Sequence, residues 1–124
     1  MLLPTFYMTS SQPMKKEDSV YIKHILDAIS AIESFSDGKD YQQLIKDKLF
    51  QDGLIRELEV IGEAAKHLSE EFKSEIADIP WKDIAGMRDR LIHYYFGIDL
   101  EEVWKTVLKD VPQLKFVLLK REHI

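Results

Sequence analysis

Cysteine is absent from this chain, which rules out a disulfide framework and any cysteine-based metal site. Long apolar runs are missing too: nothing approaches the roughly 18 to 20 consecutive apolar residues of a membrane span. Residues 1–13 do not read as a secretory signal. They lack a basic start, and Thr9-Ser10-Ser11-Gln12 interrupts their apolar part. They are expected to form a weakly ordered N-terminal extension before a single domain at 14–124. A basic excess is also missing: 17 Lys and Arg stand against 22 Asp and Glu, for a net charge of −5. That disfavours a strong non-specific nucleic-acid binder, but it leaves room for an enzyme that touches RNA at one local site. The expected location is the cytoplasm, with no membrane association.

Several catalytic signatures are absent as well. There is no Glu-x-x-His pattern of the di-iron bundles, no His-Glu-x-x-His zinc motif and no P-loop, and no Gly-x-Ser-x-Gly elbow. The four histidines are scattered along the chain. The sequence therefore points to chemistry without a metal and names no cofactor. Strand-like alternation of useful length, internal repeats and low-complexity tracts are not found either.

What remains is helical patterning. Ile22, Ile25, Ile29 and Ile32 step by three and four behind Glu17 and Asp18, whose carboxylates suit a helix start. Ser36-Asp37-Gly38 ends that helix. Asp40 caps a short helix through Tyr41, Leu44 and Ile45. A longer helix is predicted over about 48–72, with Leu54, Leu58, Ile61, Ala65, Leu68 and Phe72 as its buried stripe and Gly62 and Ala65 admitting a close neighbour. His24 reads as a surface or interface residue, and His67 as a surface residue pairing with Glu63 four positions earlier. Ile79-Pro80-Trp81 opens a further helix, kinked at Gly86 and ended by Gly97. Asp99 caps the last one, which carries Leu100, Trp104 or Val103, Val107, Val111, Leu114 and Leu118, and Pro112 should bend or divide it. The fold class is all-α: an antiparallel bundle of four to five helices.

Chemistry-bearing residues concentrate in Met87-Arg88-Asp89-Arg90-Leu91-Ile92-His93-Tyr94-Tyr95-Phe96-Gly97. Histidine exchanges protons near neutral pH, and arginine offers a planar fork of donors that fits phosphate. On a helix turning roughly 100° per residue, Arg88 and Tyr95 fall within about 20° of each other, whereas His93 lies about 140° from Arg88. Asp89 and His93 would be neighbours at i and i+4, with Asp89 able to fix the imidazole tautomer. One regular helix therefore does not bring Arg88 and His93 onto a single phosphate. Either the helix is distorted or ends near Phe96-Gly97, or a second copy of the segment completes the site.

The segment resembles the R-x4-H-x-Y motif of the HEPN superfamily, specifically the HepT toxins (the DUF86 family). Ile55 to Lys66, Ile79 to Arg88 and Tyr95 to Asp99 are similar to further blocks of that family, so the resemblance runs from about Met14 to Leu119. It implies a HEPN-like homodimer in which the two motif segments meet in a cleft. It implies a metal-independent ribonuclease in which Arg88 and His93 are catalytic, with Asp89 and Arg90 as supporting residues and RNA as substrate. It also implies a minimal nucleotidyltransferase antitoxin that transfers AMP to Tyr95, within a type VII-like toxin-antitoxin pair. A second reading is a non-catalytic helical module that docks a nucleotidyltransferase and binds nucleotide or phosphate through Arg88 and His93. A third is a dimerisation bundle with no ligand.

Overall fold

The computed structural model describes residues 15–93 and 97–122, with only the backbone of His93 and Glu122. The expected extension at 1–13 lies outside the described residues. The architecture rests on long rods. Helix α1 (Lys16–Ser36) and helix α3 (Lys48–Lys66) make the most extensive pairing in the molecule. The short α2 (Tyr41–Lys46) joins them. After α3 come three short helices, α4 (Glu70–Glu75), α5 (Trp81–Ala85) and α6 (Met87–Leu91). Two-residue strands β1 (Ile92–His93) and β2 (Gly97–Ile98) pair antiparallel, and α7 (Leu100–Lys105), a π-helical turn (Thr106–Asp110) and α8 (Val111–Glu122) run on as one rod. The protein is all-α in class apart from that minimal strand pair.

The core follows the apolar stripes. Ile22, Ile25, Ile29 and Ile32 of α1 meet Leu54, Leu58 and Ile61 of α3, and Leu114 and Leu118 of α8 close over them. Each such side chain contributes about 1.5–3 kcal/mol before chain entropy is subtracted. Caps set the helix ends. Asp40 and Gln43 form a reciprocal capping box at α2: the Asp40 carboxylate accepts from Gln43 N–H at 3.0 Å, and the Gln43 side chain accepts from Asp40 N–H at 2.8 Å. Asp47 and Asp99 cap α3 and α7 by accepting from Phe50 N–H and Glu102 N–H, without the reciprocal bond.

Three expectations need correction. The helix predicted over 48–72 ends at Lys66, and a new one, capped by Ser69, begins at Glu70. Ser69 Oγ accepts from Phe72 N–H, while the buried Asp18 carboxylate accepts from both Ser69 N–H (2.8 Å) and Ser69 Oγ–H (2.6 Å). That carboxylate supplies hydrogen bonds a continuing helix would not need, and Leu68 and Phe72 still reach the core.

The second correction concerns the helix opened by Ile79-Pro80-Trp81. It breaks at Gly86, as expected of a kink, but then ends at Leu91, not at Gly97. Ile92 is already extended, at φ −113° and ψ 109°. Its register partner is Ile98, and Gly97 takes a left-handed φ of +79° beside it, a conformation nearly reserved for glycine.

Third, where Pro112 was expected to bend or divide the last helix, the helix runs on through a π-helical turn into α8. Proline lacks the N–H and clashes with the carbonyl four residues back. The preceding π-helical turn widens the spiral there, and Val111 N–H bonds to Thr106 O, five residues back.

Candidate functional site

Arg88 sits on α6, and the position of α6 is set by a glycine on α3. A Cβ at Gly62 would lie 3.0 Å from the Ile84 carbonyl oxygen and 3.5 Å from that of Ala85. Only a residue without a side chain lets α5 approach α3 this closely. Ile84 and Met87 are buried against α3 as a result, and Arg88 emerges beside it. The Arg88 side chain is 64% exposed, and its Nε donates to Glu59 Oε2 of α3 at 2.7 Å.

A cleft of about 450 Å³ opens at this point between α1, α3 and the α5–α6 corner. Tyr21 and His24 of α1 form one wall and Arg56, Glu59 and Lys66 of α3 another, with His67 at the end of α3 and Arg88 at the corner. The His67 ring stacks on Tyr21, with centroids 4.9 Å apart and planes 14° from parallel, and His24 meets the Tyr21 edge at 5.8 Å. His67 Nε2 lies 3.4 Å from Glu63 Oε2, so the surface pair expected from sequence is present, and Lys66 reaches the same carboxylate at 3.7 Å.

The predicted site residues separate. Arg88 faces the cleft. Asp89 is exposed on α6. Arg90 points the other way: its Nη2 donates to Thr106 Oγ1 at 2.8 Å and to Asp110 Oδ2 at 3.2 Å. Thr106, itself buried, donates onward to the Glu102 carbonyl at 2.8 Å. Arg90 thus clamps α6 to the π-helical turn, which is a structural task. His93 has its backbone in β1, so the helical relation drawn for Asp89–His93 does not hold, and the one drawn for Arg88–Tyr95 falls on a residue outside those described. Its side chain and the whole of Tyr95 lie outside the described residues.

Sequence reasoning missed Tyr21, Arg56 and the histidines as parts of one cleft. Tyr21 and His24 are three apart and so share a helix face, but nothing in the sequence places that face against His67. Among the described residues, no group of His, Asp and Glu is spaced to hold a metal ion. No described helix is long and apolar enough to cross a membrane.

Comparison with known proteins adds the family. The family model described as "Ribonuclease HepT-like" matches residues 25–120. A Methanocaldococcus jannaschii protein named "Gamma-glutamylcyclotransferase and putative RNase" is 45% identical over 107 residues, covering 86% of this chain and 48% of that protein. The chain therefore spans about half the length of that relative. A Thermococcus cleftensis protein named "Probable ribonuclease HepT" is 44% identical over 102 residues, covering 82% of this chain and 93% of that one. A "Putative RNase" of Caldanaerobacter subterraneus subsp. tengcongensis is 41% identical over 95 residues, covering 77% and 85%. No solved structure matches the chain significantly. With the family model spanning most of the chain and relatives of this closeness, the protein belongs to the HepT-like ribonuclease family.

Proposed function

We propose that the protein is a metal-independent endoribonuclease, the toxin of a type VII-like toxin-antitoxin pair, and that it works as a homodimer with two Arg88 and two His93 residues around one phosphate. RNA supplies its own nucleophile. One His93 takes the proton of the 2′-hydroxyl as its oxygen attacks phosphorus, and the other protonates the departing 5′-oxygen. The products are a 2′,3′-cyclic phosphate and a 5′-hydroxyl. Each proton transfer of this kind contributes typically about 10²–10⁴-fold, and Arg88 balances the charge growing on the phosphoryl oxygens.

The observation that carries this reading is an exposed arginine at the mouth of a cleft, in a chain of a ribonuclease family. The Glu59 partner does not stand in the way. An exposed ion pair contributes about 0–1 kcal/mol, so releasing Arg88 from Glu59 costs little and a phosphate can take the carboxylate's place.

Regulation follows the resemblance. A minimal nucleotidyltransferase antitoxin would attach AMP to Tyr95, adding bulk and negative charge to the motif segment and excluding RNA. Wild-type protein free of modification by intact mass, incubated with labelled RNA in a chelator, should leave cyclic phosphate ends, and His93→Ala should leave the RNA intact. Intact RNA with unmodified wild type, across several RNAs, would overturn the ribonuclease reading. A second reading, a non-catalytic module that docks a nucleotidyltransferase, draws on the Arg88–Glu59 pair and the net charge of −5, since both favour a protein partner over bulk RNA. Under it, Arg88 binds phosphate without turnover.

A further inference from the structure

The cleft continues past Arg88 along α3 and over α1, and the residues there are not those of a bland surface. Two aromatic rings lie face to face: Tyr21 and His67 at 4.9 Å and 14°. The His67 side chain is 51% exposed, so the stack is open to a further flat ring. Arg56 and Lys66 stand ten residues apart on α3, roughly 15 Å along its axis, and both line the cleft with Arg88. The two carboxylates in the same walls are occupied, Glu59 by Arg88 and Glu63 by His67 and Lys66. A chain of net charge −5 thus keeps one concave strip in which three permanent cations face two partnered carboxylates.

We propose that this cleft is the track that holds single-stranded RNA beside the scissile phosphate, with the Tyr21–His67 stack as a platform for one base and Arg56 and Lys66 as phosphate contacts on either side. For its choice of ligand the proposal rests on the ribonuclease reading. The chemistry matches an unpaired strand: every base has a face that can extend an aromatic stack whatever its sequence, and cations along a groove follow the backbone. A duplex, whose bases are already stacked on each other, would gain nothing from the platform. Base choice at the platform is therefore weak, and a preference for unpaired segments is strong. Tyr21, His67, Arg56 and Lys66 are binding residues, acting on substrate affinity and not on the reacting atoms.

The test uses the full chain and two readouts. A fluorescein-labelled 2′-O-methyl oligoribonucleotide, which cannot be cleaved, reports binding by anisotropy, and the matching RNA reports kcat and KM. His67→Ala and Tyr21→Ala should each weaken binding roughly tenfold or more, as expected for loss of one base stack, and should raise KM with kcat little changed. Tyr21→Phe keeps the ring and should recover most of the affinity lost in Tyr21→Ala. Because Tyr21 packs partly into the core, Arg56→Gln and Lys66→Gln, both on exposed side chains, provide an independent check. Each should lower the slope of log Kd against log salt by about 0.7, the loss of one phosphate contact to a single strand.

Cleavage by wild type with unchanged Kd, KM and salt slope in these variants would overturn the track and leave the ribonuclease reading standing. Binding by wild type without cleavage, weakened in the variants, would support the track and overturn the nuclease. Failure of wild type either to bind or to cleave any RNA would overturn both.

Discussion

The two faces of α6 carry arginines two residues apart that do opposite things. Arg88 projects over a cleft, 64% exposed, held by a single carboxylate of α3. Arg90 is 30% exposed and bonds into the π-helical turn through Thr106 and Asp110. The residue type is the same and so is the charge. The difference is the surroundings: toward α3, the glycine contact leaves a gap beside α6, and toward α7, the buried Thr106 hydroxyl and the Asp110 carboxylate wait at hydrogen-bond distance. A cluster of arginines in a motif is therefore not a cluster of ligand-binding groups. One fixes the helix so that the other can be used.

The sharpest way to test this contrast is to remove each arginine. Arg88→Ala should reduce RNA cleavage by about 10²–10³-fold, the usual loss for one group that stabilises developing charge, with the melting temperature nearly unchanged. Arg90→Ala should do the reverse, lowering stability by about 1–2 kcal/mol as the buried Thr106 hydroxyl and the half-buried Asp110 carboxylate lose their donor, a loss measurable by urea denaturation. Equal stability losses in the two variants would end the distinction.

The next effect is at Gly62. Gly62→Ala gains roughly 1 kcal/mol of helix propensity. It also forces a Cβ to 3.0 Å from the Ile84 carbonyl oxygen, which is backbone and cannot turn aside. Crowding of that kind typically removes about 1–3 kcal/mol. The expected net result is a small loss of stability, with a clear loss of cleavage because α5 and α6 shift together. Denaturation and activity measured on one preparation would check it.

A gentler change sharpens the Arg88 side. Glu59→Gln frees the guanidinium from an exposed ion pair contributing at most about 1 kcal/mol, so RNA should bind up to a few-fold tighter in anisotropy titrations. Unaltered or weaker binding would mean that Glu59 helps to aim Arg88.

The smallest effect lies away from α6. Lys15 and Glu71 meet at 2.5 Å on the surface. The hydrogen bond to Glu71 and its charge raise the Lys15 pKa above its ordinary value, and the bond to Lys15 lowers that of Glu71. The Glu71 contribution is present above the ordinary carboxylate pKa and fades as pH falls through the lowered one. The Lys15 contribution is present below the ordinary lysine pKa and fades as pH rises through the raised one. Glu71→Gln should therefore change the melting temperature only slightly, and only between those limits, which thermal melts at acidic, neutral and alkaline pH would show.

The long rods were legible in the sequence because their stripes are dictated by the core alone. Ile22 to Ile32 and Leu54 to Phe72 are buried as the spacing required. The break between Lys66 and Ser69 was not seen, although Ser69-Glu70-Glu71 is an N-cap with an acidic first turn. The stripe continues through the break, so periodicity carried no mark of it. The turn to extended backbone at Ile92 was hidden for another reason. Asp89 and His93 at i and i+4 fitted a helix through to Gly97, whereas β-branched Ile92 and Ile98 around a glycine also fit a hairpin. The cleft was the least legible part, since Tyr21, Arg56 and His67 come together only after α1 and α3 have packed.

The π-helical turn has a consequence for comparing chain lengths. Eight residues of α-helix sweep about 800°, some 80° past the starting face, yet Val103, Val107 and Val111 all remain buried at steps of four. The wider turn takes up that drift and makes room for Pro112. A relative with no proline here can cover the same rise in plain α-helix with one residue fewer between the positions of Val103 and Val111. A one-residue gap at that point, accompanying loss of the proline, would then be the trace of a changed helix type and not of a misplaced alignment.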